Sequence, residues 1–326
     1  MGTRVEQRLA ALFNEAESEQ MCVVCPFDSA NRKALLNRLG NTTVSPTRGA
    51  FARAEYWARL GRTEKALHIA RTLSKQHPSW VFCGPTAAAA HGIETPQTLL
   101  KWSFIASDRS SNPSSAIRRL RTKTSDARVV HGIPVVDALT AAIDCLRVGT
   151  FPEALAVADS ALRVLPISQQ AFECEALARL RGKHHTRCGR KATKFANERS
   201  ENGGESYARG VMIEEGFCVP QLQVEIPDPL EPKKAYRVDY LWTAPDGTLI
   251  IGELDGKDKL EDPSMLKGLS PMQAVRRERT RESRLSITGA RIMRFTFEDV
   301  LDRRSFASTL RAFGVPLAKP QAARRR

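Results

Sequence analysis

Two adjacent apolar segments near residue 240, each interrupted by acids, constrain the fold more than any other part of the chain. YRVDYLW and TLIIGELD are typical of β-strands, and the APDG between them predicts a tight turn. Asp239 lies in the first strand. In the second strand, the two-residue alternation puts Glu253 and Asp255 on one face. The segment therefore predicts a hairpin on which three carboxylates converge.

Three close carboxylates repel one another, and a divalent cation is the usual compensation. Mg²⁺ prefers carboxylate and water oxygens, can polarise a phosphoryl oxygen and can generate a hydroxide nucleophile. We therefore expect Asp239, Glu253 and Asp255 to bind Mg²⁺ or Mn²⁺. A surface hairpin with its acids in solvent is the alternative. All six histidines precede residue 196, which excludes histidine-metal nucleases and Ser-His-Asp hydrolysis for this region.

The segments around the hairpin complete an α/β pattern. ESYARGVMIEEGF predicts a helix with Glu205 in its first turn and Arg209 one turn later, the spacing of an ion pair. PQLQVEIP and ARIMRFTFEDV predict strands. AVRRERTRESRLSITG predicts a helix on which Arg277 and Arg281 form either an arginine stripe along a phosphate path or part of a salt-bridged exposed face. This order of elements is that of the restriction-endonuclease-like core.

Composition indicates a polyanionic partner, which we expect to be DNA. The chain has 326 residues and a formal net charge of +14, and Lys and Arg contacts to phosphates release counterions. No apolar run of about 18 residues exists, so we expect no membrane span. The N-terminus lacks the apolar core of a signal peptide. A cytoplasmic protein is the expected default.

The length predicts two or three domains, and we place them at 1–75, 76–195 and 196–326. The first shows helices followed by a basic, turn-containing stretch that carries Arg48 and Arg53. That pattern is typical of a winged helix-turn-helix, with a plain helical subdomain as the alternative. The second is a mixed α/β region without a catalytic constellation. The seven scattered cysteines are expected to be mostly core residues.

From about Glu205 to Val300 the chain resembles the very-short-patch-repair-like endonuclease domain, a branch of the PD-(D/E)XK superfamily. The stretches that carry the resemblance are ESYAR, VPQLQVEI, YRVDYLW, GELDGKDK and RRERTRESRLSITGARIMRFTFEDV. The resemblance implies that Glu205 is the acid of the first core helix, Asp239 the metal-binding acid and Glu253 the acid of the (D/E)-x-K pair. Asp255 departs from the pattern, because it stands where the superfamily often has lysine. Lys257 is the candidate substitute.

Residues of about 10–100 resemble, more weakly, the abortive-infection type IV antitoxin (AbiEi) family, through SPTRGAFARAEYWARL and WVFCGPTAAAAHGI. Chains that join both parts are similar to actinobacterial relatives of that antitoxin. Two hypotheses follow. The chain is a Mg²⁺-dependent DNA endonuclease, or it is an antitoxin and autorepressor of a phage-defence system whose nuclease-like tail is not catalytic. The second implies a nucleotidyltransferase-like toxin encoded nearby as a partner.

Overall fold

The computed structural model describes residues 4–109, 116–256 and 270–318 of a mixed α/β protein. The chain divides into two compact units. The first comprises Met1–Thr150 and Ser160–Lys194, and the second Phe151–Asp159 and Phe195–Arg326. The second unit thus consists of the helical segment Phe151–Asp159 and a continuous part that starts at Phe195, next to the predicted boundary at residue 196. The boundary at residue 75 falls inside the first unit and stays a prediction.

A small sheet and four helices form the N-terminal part of the first unit. The elements are α1 (Arg4–Ser18), β1 (Val23–Val24), α2 (Ala30–Leu36), β2 (Thr43–Thr47), β3 (Ala50–Arg53), α3 (Ala54–Arg59) and α4 (Arg62–Gln76). The sheet is antiparallel in the order β1-β3-β2. The basic, turn-containing stretch is a hairpin, and Gly49 adopts a φ of +75° at its tip. Ser29 caps α2, because its side chain accepts from the Arg32 N–H.

The rest of the first unit consists of helices and two-stranded sheets. Its elements are α5 (Gly84–Ala90), β4 (Ser103–Ala106), β5 (Ile117–Leu120), β6 (Arg128–Val130), β7 (Ile133–Val135), α6 (Ala138–Cys145), the end of α7 (Phe151–Val164), α8 (Gln169–Leu180) and α9 (Arg187–Phe195). The first part of α7, Phe151–Asp159, belongs to the second unit. Strands β4 and β5 are parallel, and β6 and β7 antiparallel. Every residue of α5 is buried, because its alanines allow close packing.

Most cysteines are buried thiols, as the sequence predicts. Cys22, Cys25, Cys83 and Cys145 are buried, whereas Cys174 is exposed. Burial raises the pKa of the Cys22 thiol to about 11, partly offset by its hydrogen bond with Thr72. Within the described ranges, no helix has the length and apolar character needed to cross a lipid bilayer.

A four-stranded sheet with helices on both faces forms the second unit. Its elements are α10 (Gly203–Glu214), β8 (Gln221–Pro227), β9 (Ala235–Thr243), β10 (Leu249–Asp255), α11 (Pro271–Ser286), β11 (Arg291–Thr296), α12 (Phe297–Leu301) and α13 (Arg303–Ala312). The strand order is β11-β10-β9-β8. The two hairpin pairs are antiparallel, and β11 is parallel to β10. The predicted turn follows β9, with Gly247 at a φ of +85°.

Alternation along the strands gives this sheet two apolar faces. The larger core packs α10 and α13 against one face around Tyr240, Phe295 and Phe306. Leu285 of α11 packs against Val238 and Ile251 on the other face. Helices therefore cover both faces of the sheet. The candidate site lies at the polar ends of β8, β9 and β10.

Two local expectations in this unit were wrong. The strand predicted over ARIMRFTFEDV ends at Thr296, because the Thr296 hydroxyl accepts from the Asp299 N–H and starts α12. Arg209 does not pair with Glu205. It is buried and pairs instead with Asp159, 50 residues earlier in the chain.

Candidate functional site

The ladder between β9 and β10 ends at the acids. Regular pairing reaches Tyr240 opposite Gly252 and goes no further. Beyond that point the backbone N–H of Leu254 donates to Asp239 Oδ2 at 2.9 Å. A side-chain carboxylate thus replaces a backbone carbonyl as the partner of this N–H. The strands diverge where Asp239 and Glu253 lie, so their carboxylates share a site instead of facing each other across a ladder.

Glu205 reaches the same site from the first turn of α10. Its carboxylate accepts from the Glu201 N–H at 2.8 Å and from Asn202 Nδ2 at 2.6 Å. The Tyr240 hydroxyl donates to the Glu205 carbonyl at 2.9 Å, which ties α10 to β9. Burial raises the pKa of the Glu205 carboxyl to about 7, the Glu201 N–H lowers it, and the charge of Asp239 raises it further. The two acids are therefore electrostatically coupled.

Gln223 joins these two acids and was not singled out by sequence reasoning. Its Nε2 donates to Glu205 Oε2 and to Asp239 Oδ1, both at 3.2 Å. The only signal in the sequence was a glutamine inside the strand pattern of PQLQVEIP. Nothing in that pattern shows which acids the amide meets, because one acid comes from a preceding helix and the other from the next strand.

Arg281 of α11 neutralises Glu253. Its NH2 group donates to Glu253 Oε1 at 2.6 Å and to the Arg237 carbonyl at 2.8 Å, and its NH1 group to Glu278 Oε1 at 2.8 Å. Burial raises the pKa of the Glu253 carboxyl, and this guanidinium lowers it in part. The guanidinium thus lies where the acid pair would otherwise carry uncompensated charge.

Asp255 is held apart from the other acids by a second arginine. Arg294 Nε donates to Asp255 Oδ2 at 2.9 Å, and its NH1 group donates to Glu278 Oε1 at 2.6 Å. Asp255 therefore belongs to a network with Arg294 and Glu278 on the surface of β11. Lys257, the candidate substitute for the superfamily lysine, lies outside the described residues.

The carboxylates at this site have the chemistry that a hard divalent cation prefers. Their arrangement, however, is not that of a preformed metal centre. Carboxylate oxygens are the ligands that Mg²⁺ prefers, and Asp239 and Glu253 are the residues that would hold it. Yet in the described part of the chain no three Asp, Glu, His or Cys side chains are arranged to bind a metal ion. Arg281 holds Glu253 instead, so a metal would have to displace this arginine.

The four arginines expected to bind nucleic acid differ in availability. Arg48 is exposed at the tip of the β2–β3 hairpin, and Arg277 is exposed on α11. Arg53 is engaged, because it donates to Glu17 at 3.2 Å and to Asn14 at 2.9 Å. Arg281 is engaged by Glu253, as described above. Arg48 and Arg277 are therefore the two that are presented to solvent without a rearrangement.

The chain is a mixed α/β protein, and its sequence is similar to two proteins of Mycobacterium tuberculosis. It is 30% identical over 220 residues to the uncharacterized proteins Rv2248 and MT2308 of Mycobacterium tuberculosis strains H37Rv and CDC 1551 / Oshkosh. The match covers 68% of this chain and 75% of each relative. The chain belongs to the family of these proteins. No family model matches the chain, and no solved structure matches it.

Proposed function

We propose that the chain is a DNA-binding protein whose second unit is a Mg²⁺-dependent endonuclease that hydrolyses phosphodiester bonds. The observation that carries the proposal is the bridge of Gln223 between Glu205 and Asp239, together with the charge interaction of Asp239 with Glu253 just beyond the last pairing of β9 and β10. Two further observations support it. The acids are buried or half-buried, and close carboxylates of this kind favour a cation, which would compete with Arg281 for Glu253.

Each side chain has a role in this proposal. Asp239 and Glu253 hold the ion, which when bound supplies Lewis-acid polarisation of the phosphoryl group and an acidified water. Glu205 is fixed beside Asp239 by the amide of Gln223. If an ion took Glu253 as a ligand, Arg281 would be released from this acid and could contact the phosphate. A planar guanidinium binds a phosphate as well as it binds a carboxylate. Arg281 would therefore serve in place of the superfamily lysine, whose position is occupied by Asp255 in this chain.

The first unit supplies DNA affinity. The net charge of +14 requires counter-anions. Arg48 is exposed at the tip of the β2–β3 hairpin, which forms two strands of the three-stranded sheet. We interpret this part as the winged helix-turn-helix expected from the sequence, with the hairpin as its wing. Arg53, bound to Glu17, stabilises the base of the hairpin in this interpretation.

Cleavage of plasmid DNA with Mg²⁺ or Mn²⁺ tests the enzyme directly. Glu253→Gln keeps the size of the side chain and removes the charge that holds the ion, so nicking should be abolished. Glu225→Gln, at an exposed acid of β8, is the matched control and should cleave like wild type. The endonuclease proposal is refuted if wild type cleaves neither duplex, single-stranded nor mismatched DNA.

DNA binding is tested separately by mobility shift over a salt series. Binding should be strong at low salt and fall steeply as salt rises, because counterion release drives it. Arg48→Glu should weaken binding at every salt concentration. Lys101→Glu, at an exposed lysine of the same unit, is the matched control. Equal weakening by both changes would remove the hairpin from the interface.

A second function is favoured by the arginine pairs at the acids. Glu253 pairs with Arg281 and Asp255 with Arg294, so these acids are compensated without a metal ion. A domain kept only for structure or binding would have this arrangement. The chain would then be a regulator of the antitoxin kind that represses its own operon. A nucleotidyltransferase-like toxin reading frame beside the gene, together with absence of Mn²⁺ binding by calorimetry, would favour this function.

A further inference from the structure

Gln223 has a backbone conformation that a strand does not require. Its φ is +51°, in the left-handed region where residues other than glycine, asparagine and aspartate are uncommon. The ladder is regular on both sides of it, with Leu222 opposite Tyr240 and Val224 opposite Val238. The chain therefore does not turn here. The unfavourable conformation instead switches the faces of the strand, since Leu222 packs in the core on one side of the sheet and Val224 and Ile226 pack on the other. At this switch the Gln223 side chain is directed to the acids.

The redirected side chain ends between two acids. Both oxygens that it meets belong to carboxyl groups that accept hydrogen bonds when ionised, so the nitrogen of the amide must face them. Nε2 has two hydrogens, and it lies 3.2 Å from Glu205 Oε2 and 3.2 Å from Asp239 Oδ1. Each hydrogen is thus directed to a different acid. One amide sets the position of one carboxylate relative to the other.

The choice of glutamine is informative because other residues at this position would alter the charge of the site. A glutamate would add a third carboxylate to the pair and increase the repulsion. A lysine would neutralise the pair and compete with any cation. The neutral amide bridges the acids and leaves their negative charge available. Glycine or asparagine would adopt the same φ with less strain but would lack the reach.

We infer that Gln223 is a positioning residue that fixes the carboxylate of Glu205 relative to Asp239 for binding of a divalent cation. The inference rests on the proposed metal site and names a residue that acts through the acids, not on the substrate. Groups that orient metal ligands in this way commonly contribute about 10- to 100-fold to metal affinity or activity. The strained φ at Gln223 is the conformational cost of that position.

Gln223→Gly separates a positioning role from a structural one. The change removes both hydrogen bonds. It also removes the strain of a positive φ, which glycine adopts freely, so Tm should match or exceed that of wild type. Mn²⁺ affinity, measured by calorimetry on the full chain, should fall about 10-fold or more. Gln221→Gly, at an exposed position of the same strand, is the matched control. It should lower Tm and leave Mn²⁺ affinity unchanged, because glycine weakens a strand without touching the acids.

Glu205→Gln tests whether Gln223 acts through Glu205. If it does, the Gln223→Gly, Glu205→Gln double variant should bind Mn²⁺ no more weakly than Glu205→Gln alone. Independent, additive losses would overturn the inference, as would a Gln223→Gly variant that lowers Tm and keeps wild-type affinity.

The Asp239→Ala, Glu253→Ala double variant separates this inference from the proposed function. If the double variant loses Mn²⁺ binding and Gln223→Gly does not, the metal site stands and the role of Gln223 is refuted. If wild type and the double variant bind Mn²⁺ equally, or neither binds it, the metal site and the role of Gln223 are refuted together.

Discussion

Replacing Arg209 by methionine should destabilise the second unit more than any other single arginine change in it. The guanidinium is 2% exposed and its partner Asp159 is fully buried. Its NH2 group lies 2.9 Å from Asp159 Oδ1 and 2.7 Å from Oδ2, and its NH1 group donates to the Phe195 carbonyl at 2.7 Å. Methionine fills much of the same volume but leaves Asp159 with only neutral hydrogen-bond donors, the Asn197 N–H and the Ser206 side chain.

The magnitude follows from leaving one buried charge unpaired. Removing one partner of a buried ion pair costs about 3–5 kcal/mol in the free energy of unfolding. Since domains are stable by only about 5–15 kcal/mol, the loss should be plain in urea denaturation followed by circular dichroism. Arg304→Met, at an exposed site on α13, should change the free energy by less than about 0.5 kcal/mol.

The pH dependence gives the sharper test. Burial already raises the pKa of the Asp159 carboxyl, and Arg209 opposes that rise, so Arg209→Met should raise the pKa further. A carboxyl whose pKa is higher in the folded than in the unfolded state lowers the free energy of unfolding at pH values above the folded pKa. This loss disappears as pH falls toward the pKa of the unfolded state, about 3.9. The stability deficit of Arg209→Met relative to wild type should therefore shrink between pH 8 and pH 5.

A second variant decides whether the charge is the cause. Adding Asp159→Asn to Arg209→Met removes the unpaired charge, so the double variant should be more stable than Arg209→Met alone. If the double variant is less stable, and if the deficit of Arg209→Met is the same at pH 5 and pH 8, the loss comes from packing and the electrostatic reasoning is refuted.

Three further predictions concern the arginine at the acids, a buried aspartate and the thiols. Arg281→Gln should leave the charge of Glu253 uncompensated. Tm measured in the presence of a chelator should therefore fall, and Mn²⁺ affinity measured by calorimetry should rise. An unchanged affinity would contradict the view that Arg281 and the ion compete for Glu253. Asp228→Asn should destabilise at pH 7, because the Tyr236 and Arg284 side chains lower the pKa of Asp228 in the fold. The deficit should narrow as pH falls below about 4, since Asp228 of the unfolded wild-type chain is then protonated while the folded carboxylate is still ionised; an equal deficit in urea denaturation at pH 3 would contradict this. Ellman's reagent at pH 8 should label exposed Cys174 at once and Cys22 only on unfolding, and simultaneous labelling would show that Cys22 is accessible.

The strands that carry the acids were predictable from local pattern. The alternation in PQLQVEIP, YRVDYLW and TLIIGELD gave β8, β9 and β10, and APDG gave the turn between the last two. The helix that begins near Pro271 followed from its charged, amphipathic pattern. These properties depend on neighbouring residues, whose side-chain direction and turn preference are fixed by the backbone itself. Asp239 and Glu253 could therefore be assigned to adjacent strands without a structure.

The partners of the charged side chains were decided by the tertiary structure. Helical spacing predicted a pair between Arg209 and Glu205, but close packing of α10 against the start of α7, at Gly210 and Pro152, brings Arg209 to Asp159. Arg281 meets Glu253 across 28 residues of sequence because α11 packs on the face that carries this acid. Periodicity specifies only which face of an element is apolar. Which charge lies opposite which depends on strand order and on how a helix crosses the sheet, and these depend on packing of the whole unit.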